Sequence, residues 1–324
     1  MLETAIFSIK SCEDFERLAI EIFRYQYENA IVYRQFCDFL KVSPASVKKI
    51  EDIPFLPIQF FKSHRVISKL ASENTTFTSS GTTGSITSKH HVSDLSLYEK
   101  SFLKTFELIY GNPSQYAILA LLPSYIERGG SSLVYMADRL INDSSNEHSG
   151  FYLRDINALI EKLTFLERTN QKTILIGVSY ALLDLIEKQK FRLKNTIVME
   201  TGGMKGKRQE MIKEELHAIL KKGFGLDQIH SEYGMTELLS QAYSKGEGIF
   251  YTPPWMKICT RDTEDALSFV KGKTGGINVI DLANLHSCSF IATQDLGRIR
   301  EDGGFEVLGR FDASDIRGCN LMVQ

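Results

Sequence analysis

Short apolar and β-branched runs at Tyr116–Leu122, Thr173–Ile176 and Thr196–Glu200 alternate with helical patterns, and this alternation constrains the fold most tightly. Helical stretches at Ser179–Gln189 and Lys207–Lys221 separate the later runs. A strand buried on both faces reads as a continuous apolar run, and a returning helix makes the next strand parallel. The expected fold is therefore layered α/β around a buried, largely parallel sheet.

Two other textures flank this core. Phe15, Leu18, Ala19, Ile22 and Phe23, then Tyr33, Phe36, Cys37 and Leu40, recur at helical steps, so the N-terminal region is expected to be helical. Ser11 with Asp14 predicts a capped start, and Pro44, Pro54 and Pro57 break regular structure after Leu40. A further helix is expected between Ser93 and Tyr110, with Leu95, Tyr98, Phe102 and Ile109 on one face. After Ile229 the helical patterns stop. Segments at Ala266–Val270, Gly276–Ile280, Ser289–Thr293 and Gly304–Leu308, punctuated by Gly and Asp, read as a small β-rich lobe.

Composition narrows the function classes. With 324 residues, 43% of them hydrophobic, the chain can fill the cores of about two domains. The 38 basic and 40 acidic residues leave a net charge of −2, so no global field recruits nucleic acid or an anionic membrane. The apolar stretches Ala117–Pro123 and Ile174–Ile186 fall short of the ~20 residues that cross a bilayer. Met1–Lys10 carries no secretory pattern, and five widely spaced cysteines without a Cys-x-x-Cys pair disfavour a disulfide framework or structural zinc. The expectation is a soluble cytoplasmic protein.

The sharpest local signal is Thr78-Ser79-Ser80-Gly81-Thr82-Thr83-Gly84, in which every residue is Gly, Ser or Thr. Its glycines permit close backbone approach, and its N–H and O–H groups can wrap phosphate oxygens. Ser85 and Ile86 come after Gly84, so this is not the Gly-Lys-Ser/Thr phosphate loop of nucleoside triphosphatases. On composition alone a surface turn remains open. Four more segments appear in order along the chain: Glu200-Thr201-Gly202-Gly203, Tyr233-Gly234-Met235-Thr236-Glu237, Thr293-Gln294-Asp295-Leu296-Gly297-Arg298 and Gly309-Arg310-Phe311-Asp312. Taken singly, Thr236-Glu237 also reads as a helix start, and Asp295-Leu296-Gly297 and Gly309-Arg310 as turns. His90-His91 beside Lys89 reads as a solvated strand edge rather than a ligand pair.

In order and spacing, from about Phe77 to Asn320, the set resembles the adenylate-forming superfamily of acyl- and aryl-CoA ligases, luciferases and peptide-synthetase adenylation domains. Leu122-Pro123-Ser124-Tyr125-Ile126-Glu127-Arg128-Gly129-Gly130-Ser131-Ser132-Leu133 and Asp315-Ile316-Arg317-Gly318-Cys319-Asn320 are similar to the acyl-protein synthetases of bacterial luminescence systems, with phenylacetate-CoA ligases as cousins.

The resemblance implies ATP- and Mg²⁺-dependent activation of a carboxylic acid, expected to be a fatty acid. The acyl group would then be loaded on the protein's own cysteine and passed to a partner such as an acyl reductase. By the same resemblance Ser79, Ser80, Gly81, Thr82, Thr83 and Gly84 would grip phosphates. Thr236 would donate to the α-phosphate, and Glu237 would hold Mg²⁺. Gly202 and Gly203 would let adenine lie against the backbone, with Tyr233 and Gly234 also lining the nucleotide. Asp295 would accept from the ribose hydroxyls, Arg310 would back ribose or phosphates, and Cys319 would accept the acyl group.

The chain ends at Gln324, so the mobile C-terminal domain of the superfamily, with its catalytic lysine, is expected to be absent. Lys89 and Lys205 are candidates for the charge that lysine supplies. Ala313 stands where a second Asp is common in the hinge. The expected domains are a helical region over 1–75, an adenylate-forming α/β core over 76–308 with the β-rich lobe from about 240, and a hinge-like tail over 309–324. An acyl- or aryl-CoA ligase and a non-catalytic nucleotide-binding subunit are the competing readings.

Overall fold

The computed structural model describes residues 2–79, 86–123, 130–203, 208–209 and 211–311. The chain divides into two units, one formed by 1–72 with 254 onward, the other by 73–253. This differs from the three consecutive segments expected above, and the reason is a buried amide. Gln26, on the helix Cys12–Asn29, donates through Nε2 to the carbonyls of Asn284 and Leu285, and its Oε1 accepts from the Ser289 amide. Phe23, Tyr33 and Phe55 surround Phe290 with ring centroids 6.0–6.4 Å away. Each buried aromatic of this kind contributes about 1.5–3 kcal/mol. The helical N-terminus therefore takes its core from the β-rich lobe.

In that unit the strands run in the order Phe305–Arg310, Phe290–Ile299, Gly275–Asp281, Met256–Arg261 and Phe269–Val270, all antiparallel. Leu56–Pro57 adds a parallel pairing to Phe290–Ile299. Ser11 accepts from the Asp14 amide at the start of Cys12–Asn29, as its sequence position predicts.

Unit 73–253 holds the expected parallel sheet. Its order is Gly150–Phe151, Ala117–Leu121, Thr173–Val178, Thr196–Thr201, His230–Tyr233 and Ala242–Ser244, with only the last antiparallel. Every residue of Ala117–Leu121 and Thr173–Val178 is buried, which is why these runs carry no polar alternation. The flanking helices include Leu95–Tyr110, Ser132–Ser144, Ile156–Arg168, Ser179–Lys188 and Lys213–Phe224. Asp94, Ser131 and Asp155 cap three of them by accepting backbone N–H groups. The last helix is shifted from the expected Lys207–Lys221, because Gly225 at φ +70° stops it later. An antiparallel hairpin, Thr75–Thr78 with Lys89–Val92, completes the unit. Among the described residues no helix is long and apolar enough to cross a membrane.

Candidate functional site

Open parallel sheets bind ligands outside the carboxyl ends of their strands, near the point where strand order reverses. Here the order reverses between Ala117–Leu121 and Thr173–Val178, since Gly150–Phe151 lies on the far side of the former. The register pairs Leu121 with Gly177, Gly177 with Glu200, and Glu200 with Ser231, so these strand ends are level. Gly202-Gly203 and Tyr233–Glu237 continue the chain beyond that edge. Gly202-Gly203 thus follows directly on the strand expected from the run Thr196–Glu200.

Beneath Gly202 lies a buried ionic group that the sequence did not reveal. The Glu200 Oε1 accepts from Lys213 Nζ at 2.6 Å and lies 3.4 Å from His217 Nε2. Ser179 Oγ lies 3.3 Å from Glu200 Oε2 and 3.0 Å from the Gly202 carbonyl, its single proton shared between them. Burial pushes the Glu200 carboxyl up, but the His217 contact and the Lys213 charge outweigh it and bring it down to about 2. Gly202 adopts φ +65°, a conformation open to glycine, and both Gly202 and Gly203 are exposed.

One strand further on, Thr201 Oγ1 donates to the Glu232 carboxylate. Gly234 crosses that carboxylate so closely that a Cβ would collide with it. Tyr233 is buried in the strand end. Thr236 and Glu237 lie in a turn closed by the Leu238 amide on the Met235 carbonyl at 3.1 Å, not in a helix start. Glu237 is buried.

Ser79 stands at the stem of the Gly/Ser/Thr loop. Its amide donates to the Ser88 carbonyl at 3.1 Å, and its hydroxyl accepts from the Ser88 amide at 2.9 Å. Ser80, Gly81, Thr82, Thr83 and Gly84 lie outside the described residues, as do Lys205, Asp312 and Cys319. Lys89 is exposed on the hairpin strand opposite Thr78. Its neighbour requires a correction. His90 is fully buried rather than solvated, and its Nδ1 donates to the Thr236 carbonyl at 2.8 Å. The hairpin that carries the loop is therefore tied to the Thr236 turn. His91, by contrast, meets Glu73 at 3.1 Å.

Asp295 and Arg310 belong to the other unit. Asp295 is not in a turn, as its Leu-Gly sequel suggested, but inside the strand Phe290–Ile299. It pairs in register with Arg310 at the end of Phe305–Arg310, and Arg310 Nε donates to Asp295 Oδ1 at 3.0 Å. The Asp295 side chain is 9% exposed and that of Arg310 74%. A carboxylate fixed in depth thus meets a guanidinium reaching into solvent, an arrangement that suits hydroxyl recognition backed by charge.

Among the described cysteines, burial pushes the Cys37 thiol up to about 12 and Cys259 to about 11, and raises Cys288 as well. Such thiols are poor nucleophiles, because the thiolate is the reactive form. Cys12 is exposed. Among the described residues no cluster of three or more His, Cys, Asp or Glu could hold a metal. A cavity of about 430 Å³ beside Ser145, His148 and Phe165 includes none of the expected site residues.

Comparison with known proteins bears on the fold and on sequence similarity. Residues 10–111 match the family model of the acyl-protein synthetase LuxE. The chain is 24% identical over 334 residues to the long-chain-fatty-acid–luciferin-component ligase of Vibrio harveyi, covering 94% of this chain and 86% of that protein. Among solved structures, a 2-hydroxyisobutyryl-CoA ligase in complex with 2-HIB-AMP and CoA superposes with a TM-score of 0.66 at 11% identity, over 94% of this chain and 72% of that one. ATP-bound MatB from Rhodopseudomonas palustris superposes with a TM-score of 0.55 at 18% identity, over 72% of this chain. The chain spans about half the length of MatB, 47% of it. The protein thus has the fold of the adenylate-forming ligases and is similar in sequence to the LuxE acyl-protein synthetases.

Proposed function

We propose that the protein activates a carboxylic acid, of the fatty class, with ATP and then carries the acyl group as a thioester on Cys319. The similarity to a long-chain-fatty-acid–luciferin-component ligase over 94% of the chain carries this reading. In the first step a carboxylate oxygen attacks the α-phosphorus and the bond to the β-phosphate breaks, releasing pyrophosphate. In the second, the Cys319 thiolate attacks the acyl carbonyl, AMP leaves, and the thiol proton passes to water. A partner such as an acyl reductase then takes the acyl group.

Two anions must approach in the first step, so the protein's task is to position them and neutralise charge. Thr236 donates to the α-phosphate, and the loop from Ser79 to Gly84 holds the departing phosphates. Gly202 and Gly203 admit the adenine with Tyr233 and Gly234 beside them, Asp295 accepts from the ribose hydroxyls, and Arg310 backs them. Glu237 suits Mg²⁺ in chemistry: a hard cation that keeps several waters and shares phosphate oxygens needs only one or two carboxylates from the protein. When bound, Mg²⁺ would offset phosphate charge.

The raised thiols of Cys37, Cys259 and Cys288 support Cys319 as acceptor by disfavouring three competitors. Exchange of labelled pyrophosphate into ATP, measured across fatty and aromatic acids, tests the reading. Acid-dependent exchange without added CoA is expected. A folded protein that exchanges with no acid would overturn it in favour of a nucleotide-binding subunit, and a CoA-thioester product with no acyl-protein would favour an acyl-CoA ligase.

A further inference from the structure

Arg261 ends the strand Met256–Arg261 and is buried at 9% exposure. Burying a guanidinium is costly unless its donors are satisfied. Its Nη1 donates to the Ile277 carbonyl and to Asn278 Oδ1, both at 2.8 Å, and its Nη2 donates to the Thr293 carbonyl at 2.5 Å. Its Cζ also lies 5.5 Å from the Phe311 ring centroid.

The reason for these contacts lies in the sheet. Gly276 pairs with Leu296, but Asn278 pairs with Ala292, so two steps on one strand oppose four on the other. This is a bulge, and it spans Thr293 to Asp295. A second irregularity comes at once, between Leu296 and Gly297 against the neighbouring strand. Bulges leave ladder groups unpaired and re-aim side chains. Here the Ile277 and Thr293 carbonyls, which border the bulge, both accept from Arg261. Thr293 Oγ1 completes the set by donating to the Ile277 carbonyl at 2.9 Å and accepting from the Asp295 amide at 3.1 Å. Room for the guanidinium comes from Gly276, where a Cβ would lie 2.6 Å from Arg261 Cζ.

We infer that Arg261 is a positioning residue for Asp295: its guanidinium fills the bulge at Thr293–Asp295 and fixes the direction in which the carboxylate points. The inference rests on the reading of Asp295 as acceptor of the ATP ribose hydroxyls. It adds a residue outside every motif that suggested the site.

The test compares the parent with Arg261→Met, Arg261→Lys, Asp295→Asn and the Arg261→Met/Asp295→Asn double variant in pyrophosphate exchange, using ATP and 2′,3′-dideoxy-ATP. Arg261→Met should raise KM for ATP about tenfold with kcat within about twofold, the pattern of a lost ground-state contact. It should also lose the preference for ATP over the dideoxy analogue to the same extent as Asp295→Asn. The double variant should be no worse than Asp295→Asn alone, and Arg261→Lys should fall between. Multiplicative losses in the double variant, or a folded Arg261→Met with parental KM and preference, would overturn the inference.

If Arg261→Met does not fold, Gly276→Ala, which crowds the guanidinium in place, should give the same loss of preference. Unchanged preference there counts against the inference. A parent with no preference between the two nucleotides refutes the ribose reading itself. Amide hydrogen exchange then decides the positioning claim, expected faster in Arg261→Met at 293–297 and unchanged at 290–292. Equal exchange at 293–297 would refute it.

Discussion

The Nδ1 of His90 donates a hydrogen bond to the main-chain carbonyl of Thr236, 2.8 Å away across 146 residues of sequence. A carbonyl only accepts, so the proton sits on Nδ1. The bond links the hairpin bearing the Gly/Ser/Thr loop to the turn bearing Thr236 and Glu237. His90→Asn places an amide donor near the same point and should retain most pyrophosphate-exchange activity. His90→Gln moves the donor outward and should cost roughly tenfold in kcat, as loss of a supporting hydrogen bond usually does. Equal activities, with equal melting temperatures, would show that the bond does not position the turn.

Glu237 and Asp295 should separate in kinetics. Glu237→Gln keeps the shape and removes the charge, so kcat for exchange should fall by about 100-fold, with the fold intact by circular dichroism. Asp295→Asn should chiefly raise KM for ATP, because a ribose contact is made in the ground state and the transition state alike. Parental kinetics in both would refute these roles.

Acid stability should show two windows. The buried His230 imidazole is pushed down from 6.5 to about 4, by burial first and then by Lys245. Glu200 falls from 4.5 to about 2. In both cases the unfolded chain binds the proton more readily, so stability rises with pH across each window and is lost as pH falls through it. Lowering pH from 6.5 to 4 removes the His230 contribution, and from 4.5 to 2 that of Glu200. Glu200→Gln should flatten the lower window, leave the upper one, and cost about 3 kcal/mol near neutrality by stranding Lys213. Urea midpoints at about pH 7, 5 and 3 measure this. An unchanged lower slope would mean that Glu200 is not held ionised.

The sequence made some of this legible and hid the rest for physical reasons. Ala117–Leu121, Thr173–Val178 and Thr196–Thr201 were readable because strands covered on both faces carry continuous, mostly apolar or β-branched runs. Gly202-Gly203 was readable as a strand end because a double glycine stops the run that begins at Thr196. Met256–Arg261 was not expected as a strand, since Lys257, Thr260 and Arg261 read as polar. Arg261 is buried by partners more than 15 residues away in sequence. Taken singly, Asp295-Leu296-Gly297 also read as a turn, yet its pairing with Arg310, on a strand not adjacent in that motif, keeps Asp295 within Phe290–Ile299. His90 read as solvated because nothing local announces Thr236. Gln26 carries the N-terminal helices onto the far end of the chain by the same kind of long-range bond.

The central claim is tested most directly by where the acyl group ends up. The protein is incubated with labelled fatty acid, ATP and Mg²⁺, and its peptides are mapped before and after hydroxylamine. Hydroxylamine-labile label on the peptide containing Cys319 is expected, and Cys319→Ser should abolish it while leaving pyrophosphate exchange nearly intact. Thioester label that persists in Cys319→Ser, or that maps to Cys12 or Cys288 in the parent, would contradict the account.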